Sequence, residues 1–246
     1  MSKYNVHAGH CKSGKTACGA VSILDESIEN RLIKKSVIKT LKADGHTVYD
    51  CTNDKASSVN DNLSKIVAKC NKHAVTLDVS LHLNMARNDK KGDGKIGGAE
   101  AWVTANEGIK KEAATQILKN LENLGFTNRG VKETSNLYVL NRTNSKAVLV
   151  ECLFCDDRDD YNLYNQVGSD AVGFAIAKGM QKKSNIQKYK ALYGMNIREK
   201  PDAESKHVGS IPKDAILSGI AVKNNWLKTS KGYVRIKGIK TYLKQV

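Results

Sequence analysis

The 246-residue chain carries 40 Lys and Arg against 25 Asp and Glu, a formal charge of +15, with 40% hydrophobic and 6% aromatic residues. No run approaches the roughly 18 apolar residues of a membrane span, and the opening MSKYNVHAGH lacks the apolar stretch of a secretory signal. A soluble globular protein made in the cytosol is expected, without membrane insertion. Its six cysteines (11, 18, 51, 70, 152 and 155) are then small buried side chains and not a disulfide framework.

The first predicted strand, residues 3–8, leads into VHAGHCKSGKTACG. Gly9 to Thr16 fits the phosphate-cradling pattern G-x-x-x-x-G-K-[ST], yet His10 just past the strand equally suits a metal ligand. Two features count against the phosphate loop. A central parallel strand is nearly continuously apolar, whereas Lys3 to Ala8 includes Asn5 and His7. A helix is also required at Lys15, but Gly19 and Ser22 interrupt that stretch, so the match is read as coincidence.

A helix is predicted over 26–43, where Ile33, Val37, Ile38 and Leu41 recur at helical spacing and Gly45 stops it. Further strands are predicted at 47–51, 78–83, 99–103 and 147–153, alternating with helices at 60–72, 107–124 and 168–181. Such alternation predicts an α/β unit with a mainly parallel sheet flanked by helices. Within it, Cys152 and Cys155 form a lone C-x-x-C at the end of an apolar strand, a weak redox or zinc signal without a second pair.

Sites in such sheets lie at the C-terminal strand ends. That rule gathers His10, His82 near the end of VSLHLN, Glu151 at the end of AVLVE, and Glu26 at the start of the first long helix. Two His and one Glu make an open catalytic zinc set, and a further carboxylate off the metal would serve as general base and acid. Each residue has an ordinary alternative: a hydrogen-bonded strand-end histidine, or an acid serving the helix dipole. Glu151 is harder to dismiss, because an unpaired carboxylate ending a buried strand is costly.

The ordered set Gly9-His10, Glu26-x-x-x-Asn30, Ser80-Leu81-His82-Leu83-Asn84, Asn128-Arg129-Gly130-Val131-Lys132 and Ala147-Val148-Leu149-Val150-Glu151 resembles the zinc-dependent N-acetylmuramoyl-L-alanine amidases, particularly those of bacteriophage endolysins. The resemblance spans about residues 3–180. It implies Zn2+ held by His10, Glu26 and His82, with Glu151 as the catalytic carboxylate and Asn84 and Arg129 as substrate-orienting candidates. Cys11-Lys12 stand where the family often has glycines, His7 is an additional imidazole, and Asp25 and Glu29 compete with Glu26 for the ligand role.

Residues 181–246 hold 15 Lys and Arg against 4 Asp and Glu, a net +11 that predicts a polyanionic partner. The aromatic residues do not interleave with the basic ones in a nucleic-acid stacking motif, so nucleic acid is not expected. Polar residues 181–190 read as a linker between a catalytic domain (1–180) and a small all-β domain (191–246). Apolar runs at Ile211, Ala215–Leu217, Ile220–Val222, Trp226–Lys228 and Tyr233–Ile236 are separated by polar and glycine residues. With Gly194 to Pro201, this tail resembles a bacterial Src-homology-3-type domain, which implies docking on peptidoglycan or anionic wall polymers of a Gram-positive host. Both halves resemble an endolysin that accumulates in the host cytoplasm and reaches the wall after membrane permeabilisation. The alternatives are another zinc peptidase or amidohydrolase on the same fold, a nucleotide-binding protein, or a non-catalytic polyanion binder. The sequence leaves the oligomeric state open.

Overall fold

The computed structural model describes residues 1–181 and 186–246, and the chain divides into two compact units, Met1–Lys182 and Lys183–Val246. The first unit runs β1 (Lys3–Ala8), α1 (Glu26–Ala43), β2 (Thr47–Asp50), α2 (Val59–Cys70), β3 (Leu77–Asn84), β4 (Ala99–Val103), α3 (Gly108–Glu122), β5 (Asn128–Glu133), α4 (Tyr138–Arg142), β6 (Ala147–Phe154) and α5 (Arg158–Met180). Its six strands lie in the order β2-β1-β3-β6-β4-β5. Neighbours are parallel except β4, which runs antiparallel to β6, so the sheet is mixed.

Alternation along each strand sorts side chains onto two faces. One face carries Tyr4 and Val6 of β1, Val79 and Leu81 of β3, and Val148 and Val150 of β6. It packs against Ile33, Val37 and Leu41 of α1, Ile117 and Leu121 of α3, and Ile176 of α5. Burying each such side chain contributes about 1.5–3 kcal/mol, so this layer dominates the unit's stability.

The opposite face of β1 and β3 is polar although it is just as buried. Asn5 pairs in register with Asp78, and His7 with Ser80; all four are at most 1% exposed. One step further along, His82 pairs with Glu151, and Glu151 with Glu100 of β4. The mixed apolar and polar reading of Lys3 to Ala8 thus has a structural cause, because one side of β1 meets the main core and the other meets these polar groups.

Two elements depart from expectation in this unit. The last helix begins ten residues before the predicted 168, at Arg158, where Asp157 caps it by accepting from the backbone N–H groups of Asp159 and Asp160. Gly168 (φ 82°) kinks it at the residue where the predicted helix began. β5 and α4 were not expected, since Asn128–Glu133 is polar and largely exposed or half-buried and α4 spans only five residues.

The second unit is all-β: β7 (Ile186–Ala191), β8 (Met195–Arg198), β9 (His207–Ile211), β10 (Ile216–Val222), β11 (Trp226–Thr229), β12 (Gly232–Arg235) and β13 (Leu243–Gln245). They form one sheet in the order β13-β7-β10-β11-β12-β8-β9, with antiparallel neighbours. Of the expected linker 181–190, residues 182–185 lie outside the described residues, while Ile186 to Lys190 belong to β7. That strand places Tyr189 and Ala191 in the core beside Leu227, Val234 and Leu243, and its alternating lysines gave it a polar texture in sequence. Trp226 is buried, and Arg235 lies 5.3 Å from its ring centre. Both line a 520 Å³ hollow with Met195, Arg198, Ile239 and Tyr242.

Candidate active site

His10, Glu26 and His82 converge from three pieces of chain, and their donor atoms lie within 4.8 Å of one another. Glu26 Oε1 is 3.0 Å from His82 Nδ1 and 3.3 Å from His10 Nε2. It also accepts from Leu83 N at 3.1 Å, while Oε2 accepts from Ala20 N at 3.0 Å. Burial raises the Glu26 pKa, but the hydrogen bonds and charges of the two imidazoles outweigh it and hold the carboxyl far below the usual range. For His82, burial lowers the pKa and Glu26 more than reverses this, so it is raised.

Glycines and α1 make this approach feasible. A Cβ on Gly9 would lie 2.0 Å from the His82 ring, and one on Gly19 would lie 2.5 Å from Glu26 Oε2. His10 sits in the left-handed region (φ 60°), a conformation that needs support in a non-glycine residue. Support comes from α1: Asn30 Nδ2 donates to Gly9 O at 3.1 Å and Arg31 Nη2 to His10 O at 3.0 Å. Asp54 anchors the same guanidinium. Glu26 and Asn30 share a helix face at i, i+4, which gives the Glu26-x-x-x-Asn30 spacing its physical meaning.

Glu151 stands beside His82 in register. Its Oε2 is buried with no hydrogen-bond partner among the described residues. Burial, aided by the charges of Glu26 and Glu100 and opposed by His82, pushes its pKa up to about 7. A carboxyl poised near neutrality can both accept and return a proton.

On its other side is Glu100, a buried acid that sequence reasoning missed. It accepts from Lys132 Nζ at 2.6 Å, Arg129 Nε at 2.9 Å, Asn84 Nδ2 at 3.1 Å and Trp102 Nε1 at 3.1 Å. Burial raises its pKa, but the bonds from Lys132 and Arg129 prevail and lower it. Asn84 and Arg129 are therefore gathered on this carboxylate at the edge of the site. The available signal was an acid inside the apolar strand AEAWV, the same anomaly that marked Glu151.

Residues 5–182 match the N-acetylmuramoyl-L-alanine amidase family. The chain belongs to this family. An uncharacterized protein of Clostridium perfringens strain 13 is 34% identical over 231 residues, which cover 86% of this chain and 66% of that protein. A 38.4 kDa protein of Clostridium perfringens is 33% identical over 207 residues, covering 84% and 58%. The chain thus spans less than two thirds of the length of these curated relatives. The catalytic domain of the CD27L endolysin targeting Clostridia difficile is similar with a TM-score of 0.64 and 29% identity, over 73% of this chain and 97% of that domain.

In this amidase-family chain, the competing acids lie elsewhere. Glu29 Oε2 accepts from the Tyr164 hydroxyl at 2.8 Å, and Asp25 caps α1 by accepting from Ile28 N. No helix starts at Lys15, and α1 begins only at Glu26, so the strand–loop–helix of a phosphate cradle is lacking at Gly9–Thr16. Cys11 is buried with its Sγ 3.3 Å from Asn62 Oδ1. Cys152 and Cys155 are fully buried free thiols; burial pushes Cys155 up to about 12, in keeping with small core side chains. No helix among the described residues is long and apolar enough to cross a membrane.

Proposed function

We propose that this chain is an endolysin-type peptidoglycan hydrolase that cleaves the amide between N-acetylmuramic acid and L-alanine, with Zn2+ held by His10, Glu26 and His82. The donor set fits that ion: two imidazoles and a carboxylate leave a fourth position open. Bound there, zinc supplies electrophilic chemistry, acidifying water and polarising the amide carbonyl.

The chain's own groups do the rest. Asn30 and Arg31 fix the loop that carries His10, and the Gly9 slot sets the His82 ring. Glu151 takes the proton of the attacking water and delivers it to the departing L-alanine nitrogen, which otherwise leaves poorly. Glu100 keeps negative charge beside Glu151 and so helps keep its proton affinity near neutral. The observation that carries this reading is the buried, unpartnered Glu151 Oε2 next to the His10, Glu26 and His82 cluster.

The second unit is proposed to be a Src-homology-3-type wall-binding module that takes anionic wall polymers, supported by the +11 charge of residues 181–246 and by the arginine-lined hollow. Synthesis in the host cytoplasm and action on the wall after permeabilisation belong to the same proposal. Chelation tests the reading: it should abolish lysis of Gram-positive walls, and zinc should restore it. Full lysis after verified metal removal contradicts it.

A further inference from the structure

The buried polar patch behind the active site has no role in the chemistry above. His7 on β1, Asp78 on β3 and Cys70 at the end of α2 bring one ligand atom each within 4.8 Å of one another, and all three are fully buried. His7 Nε2 and Asp78 Oδ1 face each other at 3.4 Å, yet each is a buried polar atom with no hydrogen-bond partner among the described residues. The remaining valences are occupied: Asp78 Oδ2 accepts from Asn5 Nδ2 at 3.0 Å, and His7 Nδ1 lies 3.4 Å from Ser80 Oγ. Unpaired polar atoms are costly in an interior. Here they point at one spot.

We propose that His7, Cys70 and Asp78 hold a second divalent transition-metal ion, zinc by its donor set, as a buried structural site separate from the catalytic one. A nitrogen, a sulfur and a carboxylate oxygen are zinc donors, and Cys51 packs in the same buried cluster as Cys70. Tetrahedral zinc with bonds of 2.0–2.3 Å needs donors roughly 3.3–3.8 Å apart. The His7–Asp78 pair, at 3.4 Å, already meets that spacing, and with all donors within 4.8 Å no pair needs to close by more than about 1–1.5 Å.

The site ties β1, β3 and the C-terminal end of α2 together where the layer has polar groups in place of apolar packing. Asn5 Nδ2 also donates to Cys70 O at 2.9 Å, fixing the helix end that carries the thiol. A 40 Å³ cavity is lined by His7 and Ser80 on one side and by His10 and His82 of the rim on the other. Ser80 Oγ, 3.0 Å from His82 Nε2, separates the two clusters. The two differ in kind: the rim cluster has a partly exposed histidine, whereas the inner one is fully buried and carries a sulfur donor.

Metal analysis of the full chain, purified without chelators, should find two zinc ions per chain in the wild type and one in His10→Ala, which leaves the inner cluster intact. Cobalt loaded into His10→Ala should give a thiolate-to-cobalt charge-transfer band, and Cys70→Ala in that background should lose both band and metal. No metal in His10→Ala, bound cobalt without the thiolate band, or a Cys51–Cys70 disulfide would each overturn the proposal. Because the decisive spectrum comes from a chain with the inner cluster unaltered, a misfolded Cys70→Ala variant does not blunt the test. Equal metal content in wild type and His10→Ala, with the thiolate band present, would count against the rim site and in favour of this one.

Discussion

Two polar clusters share one face of the same sheet, only a residue pair apart along β1 and β3, and they differ chiefly in access. At the rim, His10 is 33% exposed and Glu151 retains some exposure; inside, His7, Cys70 and Asp78 are at most 1% exposed. Similar residue types therefore acquire different uses. Where water and substrate can enter, imidazole and carboxylate groups can do acid–base and electrophilic work. Where they cannot, the same groups are useful only if they satisfy one another or a bound ion. The comparison also explains why glycines cluster at the rim: Gly9 and Gly19 give room for the His82 ring and the Glu26 carboxylate, whereas the inner cluster is packed by full side chains.

The comparison breaks most visibly if the rim is not the seat of chemistry. Glu151→Gln should lower turnover by about 10²- to 10⁴-fold, the usual contribution of a general acid–base group, while zinc content stays at the wild-type level. Loss of zinc together with turnover would instead make Glu151 a ligand.

A smaller effect concerns stability and pH. In the metal-free chain Glu151 holds its proton up to about pH 7, against 4.5 for an ordinary glutamate. Between these values the folded chain keeps a proton that the unfolded chain releases, so its stability falls as pH rises through that window. Glu151→Gln should therefore stabilise the metal-free chain by roughly 1–3 kcal/mol at pH 8 and far less at pH 4. Chemical denaturation at the two pH values reads the difference, and an equal effect at both would show that Glu151 is not desolvated.

The second unit sharpens the comparison between electrostatic and pocket recognition. The screening length falls from ~10 Å at 0.1 M salt to ~3 Å at 1 M. Binding of the inactive Glu151→Gln chain to wall sacculi should therefore weaken several-fold over that range, and also on removal of teichoic polymers. Salt-insensitive binding to stripped walls would assign recognition to specific contacts in the arginine-lined hollow. The smallest change is expected from Glu29→Ala, which removes the Tyr164 hydrogen bond and about 1 kcal/mol of stability. Zinc content and turnover should be unchanged, and a loss of zinc would move the ligand role by one turn of α1.

Much of the first unit was legible because its signals are periodic. Ile33, Val37 and Leu41 mark α1 at its observed bounds, and the apolar run before Glu151 marks β6. The convergence of His10, Glu26 and His82 followed from the rule that loops after parallel strands meet at one edge. Elements without periodic contrast were not legible. The first ten residues of α5 are mostly polar, and β7 alternates lysines with its core residues. Glu100 was hidden for another reason: its four donors come from β3, β4 and β5, and only the register of the sheet brings them together. His7 stood out as an extra imidazole, but its partners Cys70 and Asp78 are more than 60 positions away in sequence, and no local pattern links them.

The bond broken is the central claim, and product analysis of purified peptidoglycan tests it most directly. Digestion by the zinc-loaded chain should release new N-terminal L-alanine with no new reducing sugar ends, and the Glu151→Gln chain should release almost none. New reducing ends, or new amino termini at residues other than L-alanine, would contradict the account and assign the site to a different hydrolysis.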